Sequence, residues 1–228
     1  MQNFFKIILF LSFINCFSQE VPNFSKIDSL YREDQFYLNL TYNILREKSA
    51  GISQNSLSSG VNFGFLRDFP INKSRTVSIA PGLGFSFNNY KQNLVIQNND
   101  NTTQYNLIEP NTPYDKNKLT MYFVDFPIEF RWRTSTYESH KFWRIYAGLK
   151  FSYLLNSRSK FVSSTQNFKI DNNPDINKFQ SGIYLTSGWN SWNIYAYYGL
   201  QGIFKNGNLN NEPLKLNTFN IGLMFYIL

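Results

Sequence analysis

The chain closes on Phe219-Asn220-Ile221-Gly222-Leu223-Met224-Phe225-Tyr226-Ile227-Leu228, with Phe219, Ile221, Leu223, Phe225 and Ile227 on one face and Asn220, Gly222 and Met224 on the other. Period-2 alternation of this kind belongs to a strand lying between two different solvents. A strand in that position needs another strand to close against. A transmembrane barrel supplies one, because in hydrocarbon every backbone N–H and C=O must be paired and closure removes the edges.

The other end of the chain points to the same destination. Residues 1–18 carry one lysine, Lys6, then an apolar run through Ile7, Ile8, Leu9, Phe10, Leu11, Phe13, Ile14 and Phe17. This predicts a secretory signal peptide cleaved after Ser18. The run is shorter than the roughly 20 residues of a spanning helix, and no later segment approaches that length. Cys16 is the only cysteine. Asn15 stands where a small residue normally precedes a lipidated cysteine, so lipid attachment is the weaker reading, and the mature body carries no disulfide. The expected organisation is a signal at 1–18, a periplasmic lead-in at 19–33 and an outer-membrane barrel at 34–228.

The formal charge of +7 becomes +6 once Lys6 is removed, 7 minus 1 being 6. The basic residues are scattered through turns and loops without a clustered stripe, so no nucleic acid is expected as a partner; outer-membrane lipid headgroups suit Lys and Arg at barrel rims. With 23 Phe and 15 Tyr, the aromatic content is high for a soluble domain.

Alternation along the chain yields about eight segments, each long enough to cross an apolar band of about 25 Å when tilted. They lie near 35–45, 55–66, 77–87, 119–133, 143–153, 178–189, 192–204 and 219–228. The clearest sets Val77, Ile79, Leu83, Phe85 and Phe87 against Ser78, Ala80, Gly82, Gly84 and Ser86. Short connections (67–74, 133–141, 190–191) alternate with longer ones (91–117, 156–175, 205–213). The expected fold is therefore an all-β, eight-stranded antiparallel up-and-down transmembrane β-barrel with both termini at the periplasmic, short-turn end.

The tryptophans agree with this orientation. Trp132 and Trp143 flank one short turn and Trp189 and Trp192 another, all on the apolar face, as an aromatic girdle at the periplasmic interface would require. A soluble barrel of lipocalin type would use the same alternation inside out. The polar faces decide against it, being poor in charge and rich in Gly, Ser and Asn, as the crowded interior of a small closed barrel demands. Pro81 and Pro127 fall within strands, where each removes a ladder donor, and so count against the assignment.

Chemistry is sparse. Inward charges gather on the fourth and fifth segments: Asp125, Glu129, Arg131, Arg144 and Lys150. A hairpin in which Trp132 opposes Trp143 predicts Asp125 opposite Lys150, Glu129 diagonal to Arg144, and Arg131 opposite Arg144. Such a cluster reads as paired struts that fill the lumen in preference to an ion path. His140, the single histidine, lies in a short turn and leaves no triad, and one His without a mature Cys makes no metal site. No catalytic residue, cofactor or metal is expected. The long connection 91–117 carries Leu94, Val95, Ile96, Tyr105, Leu107 and Ile108 among Asn and Gln, which suggests a projecting hairpin able to meet a partner, or a solvated loop.

Phe17-Ser18-Gln19-Glu20, Asp34-Gln35-Phe36-Tyr37, Phe126-Pro127-Ile128-Glu129-Phe130-Arg131-Trp132-Arg133 and Ile221-Gly222-Leu223-Met224-Phe225-Tyr226 together resemble the PorT-like outer-membrane β-barrel family, over nearly the whole mature chain. The closing strand is also similar to the insertion signal read by the barrel-assembly machinery, in Asn220, Gly222, Phe225 and Ile227, although it ends on Leu228 where many such strands end on an aromatic. The resemblance implies a bacterial outer-membrane barrel, loosely a porin, and for founding members a role in type IX protein secretion. The leading expectation is a non-enzymatic barrel acting through protein partners, in secretion or envelope assembly. The alternatives are a passive structural or surface-ligand-binding barrel and, more distantly, an outer-membrane lipid-modifying enzyme.

Overall fold

A computed structural model describes residues 32–54, 56–99, 102–135 and 142–227. The expected signal peptide, most of the expected lead-in, His140 and Leu228 lie outside them. Eight long strands form the wall: β1 (Gln35–Arg46), β2 (Ser59–Leu66), β3 (Val77–Lys91), β4 (Lys116–Arg133), β5 (Trp143–Val162), β6 (Phe179–Trp189), β7 (Trp192–Gly199) and β8 (Asn217–Ile227). Each pairs antiparallel with its sequence neighbours. β8 closes on β1 from Phe36 opposite Ile227 to Arg46 opposite Asn217. The terminal strand thus finds the partner that its alternation required, and the eight-stranded antiparallel barrel is closed.

Alternation sets what each face meets. On β4 the side chains of Tyr122, Phe126, Ile128, Phe130 and Trp132 point outward and are exposed, while Phe123, Asp125, Glu129, Arg131 and Arg133 are buried inside. From Tyr122 to Trp132 the outward face runs about 33 Å along the strand, which at a tilt near 40° gives about 25 Å of height, the thickness of an outer-membrane apolar band. The four tryptophans stand outward at the short-turn end, with Trp143 and Trp189 edge-to-face at 5.6 Å and Trp192 against Phe225 at 4.8 Å.

The inner wall is shaped by tyrosine against glycine. A Cβ placed on Gly148 would run into the Tyr184 ring, and one on Gly182 into the Tyr197 ring. Only a residue without a side chain lets these rings pack this closely against the wall. Tyr37, Tyr146, Tyr184, Tyr195, Tyr197 and Tyr226 make one buried cluster with Leu66, Ala80 and Met224.

The prolines are accommodated by interrupting one ladder. Pro81 pairs with Ile128, the next pair along the ladder is Gly84 with Asp125, and the intervening Gly82 and Leu83 leave the β3–β4 ladder broken beside Pro127. A bulge accounts for a second irregularity. Tyr122 opposes Asn156 but Phe123 opposes Leu154, so Leu155 is the extra residue. The bulge inverts the parity of β5: Arg144 to Ser152 face inward on even numbers, whereas Ser157, Ser159 and Phe161 are the buried residues above it.

The long connections fold over the outer mouth and do not trail as solvated loops. Hairpin Leu94–Asn99/Thr102–Leu107 lies across the barrel, held by Asn117 Nδ2, which donates to the carbonyls of Gln92 (2.7 Å) and Leu94 (2.9 Å). Leu94, Ile96 and Tyr105 join Leu45, Ile52, Leu119, Met121, Ile170, Ile176, Ile203, Phe204, Leu209, Leu214 and Leu216 in one apolar core. The Tyr105 ring meets Phe204 edge-on at 5.5 Å, and its hydroxyl donates to Asp175 at 2.7 Å.

Candidate functional site

Three inward arginines, Arg131, Arg133 and Arg144, crowd the short-turn end of the lumen, and of the two inward carboxylates on the strands that carry them, Asp125 and Glu129, only Glu129 pairs with an arginine. Two more come from outside that hairpin. Asp68, in the connection between β2 and β3, accepts from Arg133 Nη1 (2.9 Å) and Nη2 (2.7 Å), from Arg131 Nη1 (3.1 Å) and from Ser78 Oγ (2.6 Å). Burial alone would raise the Asp68 carboxyl, but hydrogen bonds from Arg133 and Ser78 and the charges of both arginines hold it below the usual range. Glu33, at the end of the expected lead-in, is buried in the barrel mouth. Its carbonyl accepts from Arg131 at 3.1 Å and its carboxylate from Gln35 Nε2 at 3.2 Å.

Glu129 is fully engaged. One oxygen accepts from Arg131 Nε at 2.8 Å and the other from the hydroxyls of Tyr184 and Tyr226, both at 2.9 Å. Arg144 is held differently, its guanidinium 4.5 Å from the centre of the Phe142 ring and 5.4 Å from that of Tyr226, with Nε and Nη1 lacking hydrogen-bond partners among the described residues. Deeper in the barrel, Asp125 accepts from Ser152 Oγ at 2.6 Å and lies 3.7 Å from Lys150 Nζ, which sits over Tyr197.

All five predicted lumen charges face inward, but the predicted register is wrong by two residues. Trp132 opposes Ile145, not Trp143; Asp125 opposes Ser152, and Lys150 faces Pro127; Arg131 opposes Tyr146, and Arg144 faces Arg133. Glu129 opposes Gly148 and is not diagonal to Arg144. Asp125 and Lys150 still meet, along a diagonal. The error came from treating the two tryptophans as the ends of a symmetric turn, when the strands are in fact offset. Asp68, Glu33 and Arg133 were missed. The available signal was arithmetic: four inward cations, Arg131, Arg133, Arg144 and Lys150, against two carboxylates, Asp125 and Glu129, on one hairpin require acids from elsewhere.

Cavities beside this network, lined by Asp125, Lys150, Tyr184 and Tyr195 or by Asn88, Met121 and Asn220, measure about 10 Å³ each. A space of that size is at the limit for one water molecule. The lumen is filled by side chains along this stretch.

A closed antiparallel barrel with an outward apolar band, an aromatic rim and a filled polar interior is an integral protein of the bacterial outer membrane. The chain belongs to the outer membrane protein beta-barrel domain family, whose model matches residues 17–205. Among solved structures, it is similar to the crystal structure of Ail, the attachment invasion locus protein of Yersinia pestis: 14% identity, 86% of this chain and 99% of that one covered, TM-score 0.39. It is also similar to Ail in complex with the heparin analogue sucrose octasulfate (14% identity, 85% and 97% covered, TM-score 0.41) and to the backbone structure of Ail in a phospholipid bilayer nanodisc (15% identity, 86% and 100% covered, TM-score 0.32). No curated protein matches the chain.

Proposed function

We propose that this is a non-enzymatic outer-membrane barrel that acts through protein partners docked on its folded outer cap. One observation carries the reading: the long connections build an apolar-cored platform over the mouth of a barrel whose interior is filled. A filled lumen leaves transport little room; Glu129 spends both oxygens on neighbours, and Asp125 gives one to Ser152 while the other lies 3.7 Å from Lys150. An ordered platform, by contrast, offers a partner a rigid surface at low entropic cost. The PorT-like resemblance supports type IX secretion or envelope assembly as the setting. Asn220, Gly222, Phe225 and Ile227 would serve earlier, as the signal to the assembly machinery. The filled lumen also suits the second reading, a passive barrel that stiffens the membrane.

The test is co-purification from detergent-solubilised native outer membranes, comparing the intact protein with a variant in which 94–107 is replaced by a two-residue turn. The platform reading expects heat-modifiable gel mobility in both and loss of secretion or assembly partners in the variant. Identical complexes, with normal secretion in a deletion strain, would leave the passive barrel standing. Altered outer-membrane lipid profiles on replacing Asp125, Glu129 or His140 would instead favour a lipid-modifying enzyme.

A further inference from the structure

Pairing of the outer strand ends assembles a row of lysines that are far apart in the chain. Lys91 opposes Lys118 across β3 and β4, Lys118 opposes Lys160 across β4 and β5, and Lys160 opposes Lys169 on the strand Asn167–Asp171. Directly opposed residues share one face with Cβ atoms about 5 Å apart, a spacing at which like charges destabilise the sheet. Lys116 and Arg158 flank the row. Asp171 is its one acidic neighbour on these paired strands and is already shared, 2.6 Å from Arg158 and 2.8 Å from Lys169. Lys91, Lys118 and Lys160 form no ion pair among the described residues. Partial burial, then the charges of Lys116, Lys160, Lys91 and Arg158, push the Lys118 ammonium below its usual pKa.

The position of the row indicates which anion would relieve it. It lies on the outward face, in line with Tyr122, Phe126 and Phe130 of β4, with Lys118 about 13 Å along the strand beyond Tyr122. That is just outside the apolar band, at headgroup depth, on the long-loop side. Three strand spacings give the row a length of about 14 Å, enough for a headgroup bearing two phosphates and more than one inorganic phosphate can span.

We propose that Lys91, Lys118, Lys160 and Lys169 bind the phosphates of a phosphorylated lipid headgroup in the outer leaflet. The bound lipid offsets the repulsion along the row and fixes the barrel's depth. This inference rests on the membrane placement and not on the partner reading, so either can fail alone.

The experiment uses the full mature protein in detergent micelles, with bis-phosphorylated lipid A, the same lipid dephosphorylated, and inorganic phosphate as probes. A Lys91→Gln/Lys118→Gln/Lys160→Gln variant is compared with Lys73→Gln at the opposite rim. Each lysine near a charged headgroup contributes about fivefold in affinity, so the triple variant is expected to bind the phosphorylated lipid on the order of 100-fold more weakly. Lys73→Gln should stay near wild type. Without lipid, the triple variant should unfold at or above the wild-type temperature, since repulsion has been removed; a merely structural row predicts a loss. Unchanged binding by the triple variant, equal binding of the dephosphorylated lipid, or equal stabilisation by millimolar inorganic phosphate overturns the proposal. Should the triple variant lack heat-modifiable mobility, Lys118→Gln alone carries the test, with about a fivefold loss expected.

Discussion

The barrel wall and the outer cap belong to one chain but bury opposite kinds of residue. In the wall, Phe36 and Trp192 are 61% and 63% exposed while Arg131 and Glu129 are at 0%; in the cap, Ile203 is at 0% and Leu94 at 1%. The difference teaches that burial in this protein is set by the surrounding solvent and not by residue type alone. Wall side chains that look exposed face lipid, where apolar groups rest at no cost and a bare charge is expensive. Above the membrane the outer solvent is water, and the apolar residues turn inward to escape it. The parity change at Leu155 falls where β5 passes from one regime to the other.

The contrast can be broken most severely at Asp68. Asp68→Ala strips Arg131 and Arg133 of their shared acid and leaves buried charge uncompensated, an expected loss of about 3–5 kcal/mol in urea unfolding from detergent. A loss below 1 kcal/mol would show that the wall does not depend on its ionic interior. Leu94→Ala opens the cap core and is expected to cost about 2–5 kcal/mol there. It should speed proteolytic cleavage of 94–107 while heat-modifiable mobility of the barrel is kept; loss of both would make wall and cap one cooperative unit. Ile128→Arg puts a charge on the lipid face and should cost about 2–4 kcal/mol in a bilayer, and much less in a soluble setting. Equal tolerance in bilayer and in aqueous polymer would undo the solvent argument.

The smallest effect belongs to the exposed strand Asn167–Asp171. Hydrogen bonds from Lys169 and Arg158 hold the Asp171 carboxyl below its ordinary pKa. Its folded pKa being the lower one, its contribution is complete above the unfolded value, near 4, and is lost as pH falls through the folded value. Protease nicking of this hairpin should therefore rise only in acid, and Asp171→Asn should remove that dependence. A flat pH profile in the wild type would mean that the pair is idle, as exposed pairs often are.

Much of the wall was legible because strand periodicity is a local property. Phe219 to Ile227 declared a two-solvent strand, and the Trp189-Asn190-Ser191-Trp192 stretch declared its turn, which the structure closes with Asn190 at φ 56°. The register of β4 on β5 was not legible, since the offset of two strands depends on packing around the whole barrel. The cap core escaped for a similar reason. Leu94, Ile176, Ile203 and Leu216 come from three connections, and nothing local says that these connections converge.

The sequence by itself determined that eight alternating strands close around a polar interior, because each strand carries its own two-faced pattern and hydrocarbon permits no open edge. Only the tertiary structure decided who meets whom across the chain: Asp68 and Glu33 reaching the arginines, loops sharing a core, and lysines scattered from 91 to 169 drawn into one row. The physical reason is that alternation fixes which way a side chain points, whereas charge balance and register are settled among strands distant in sequence and only 4.8 Å or so apart in space.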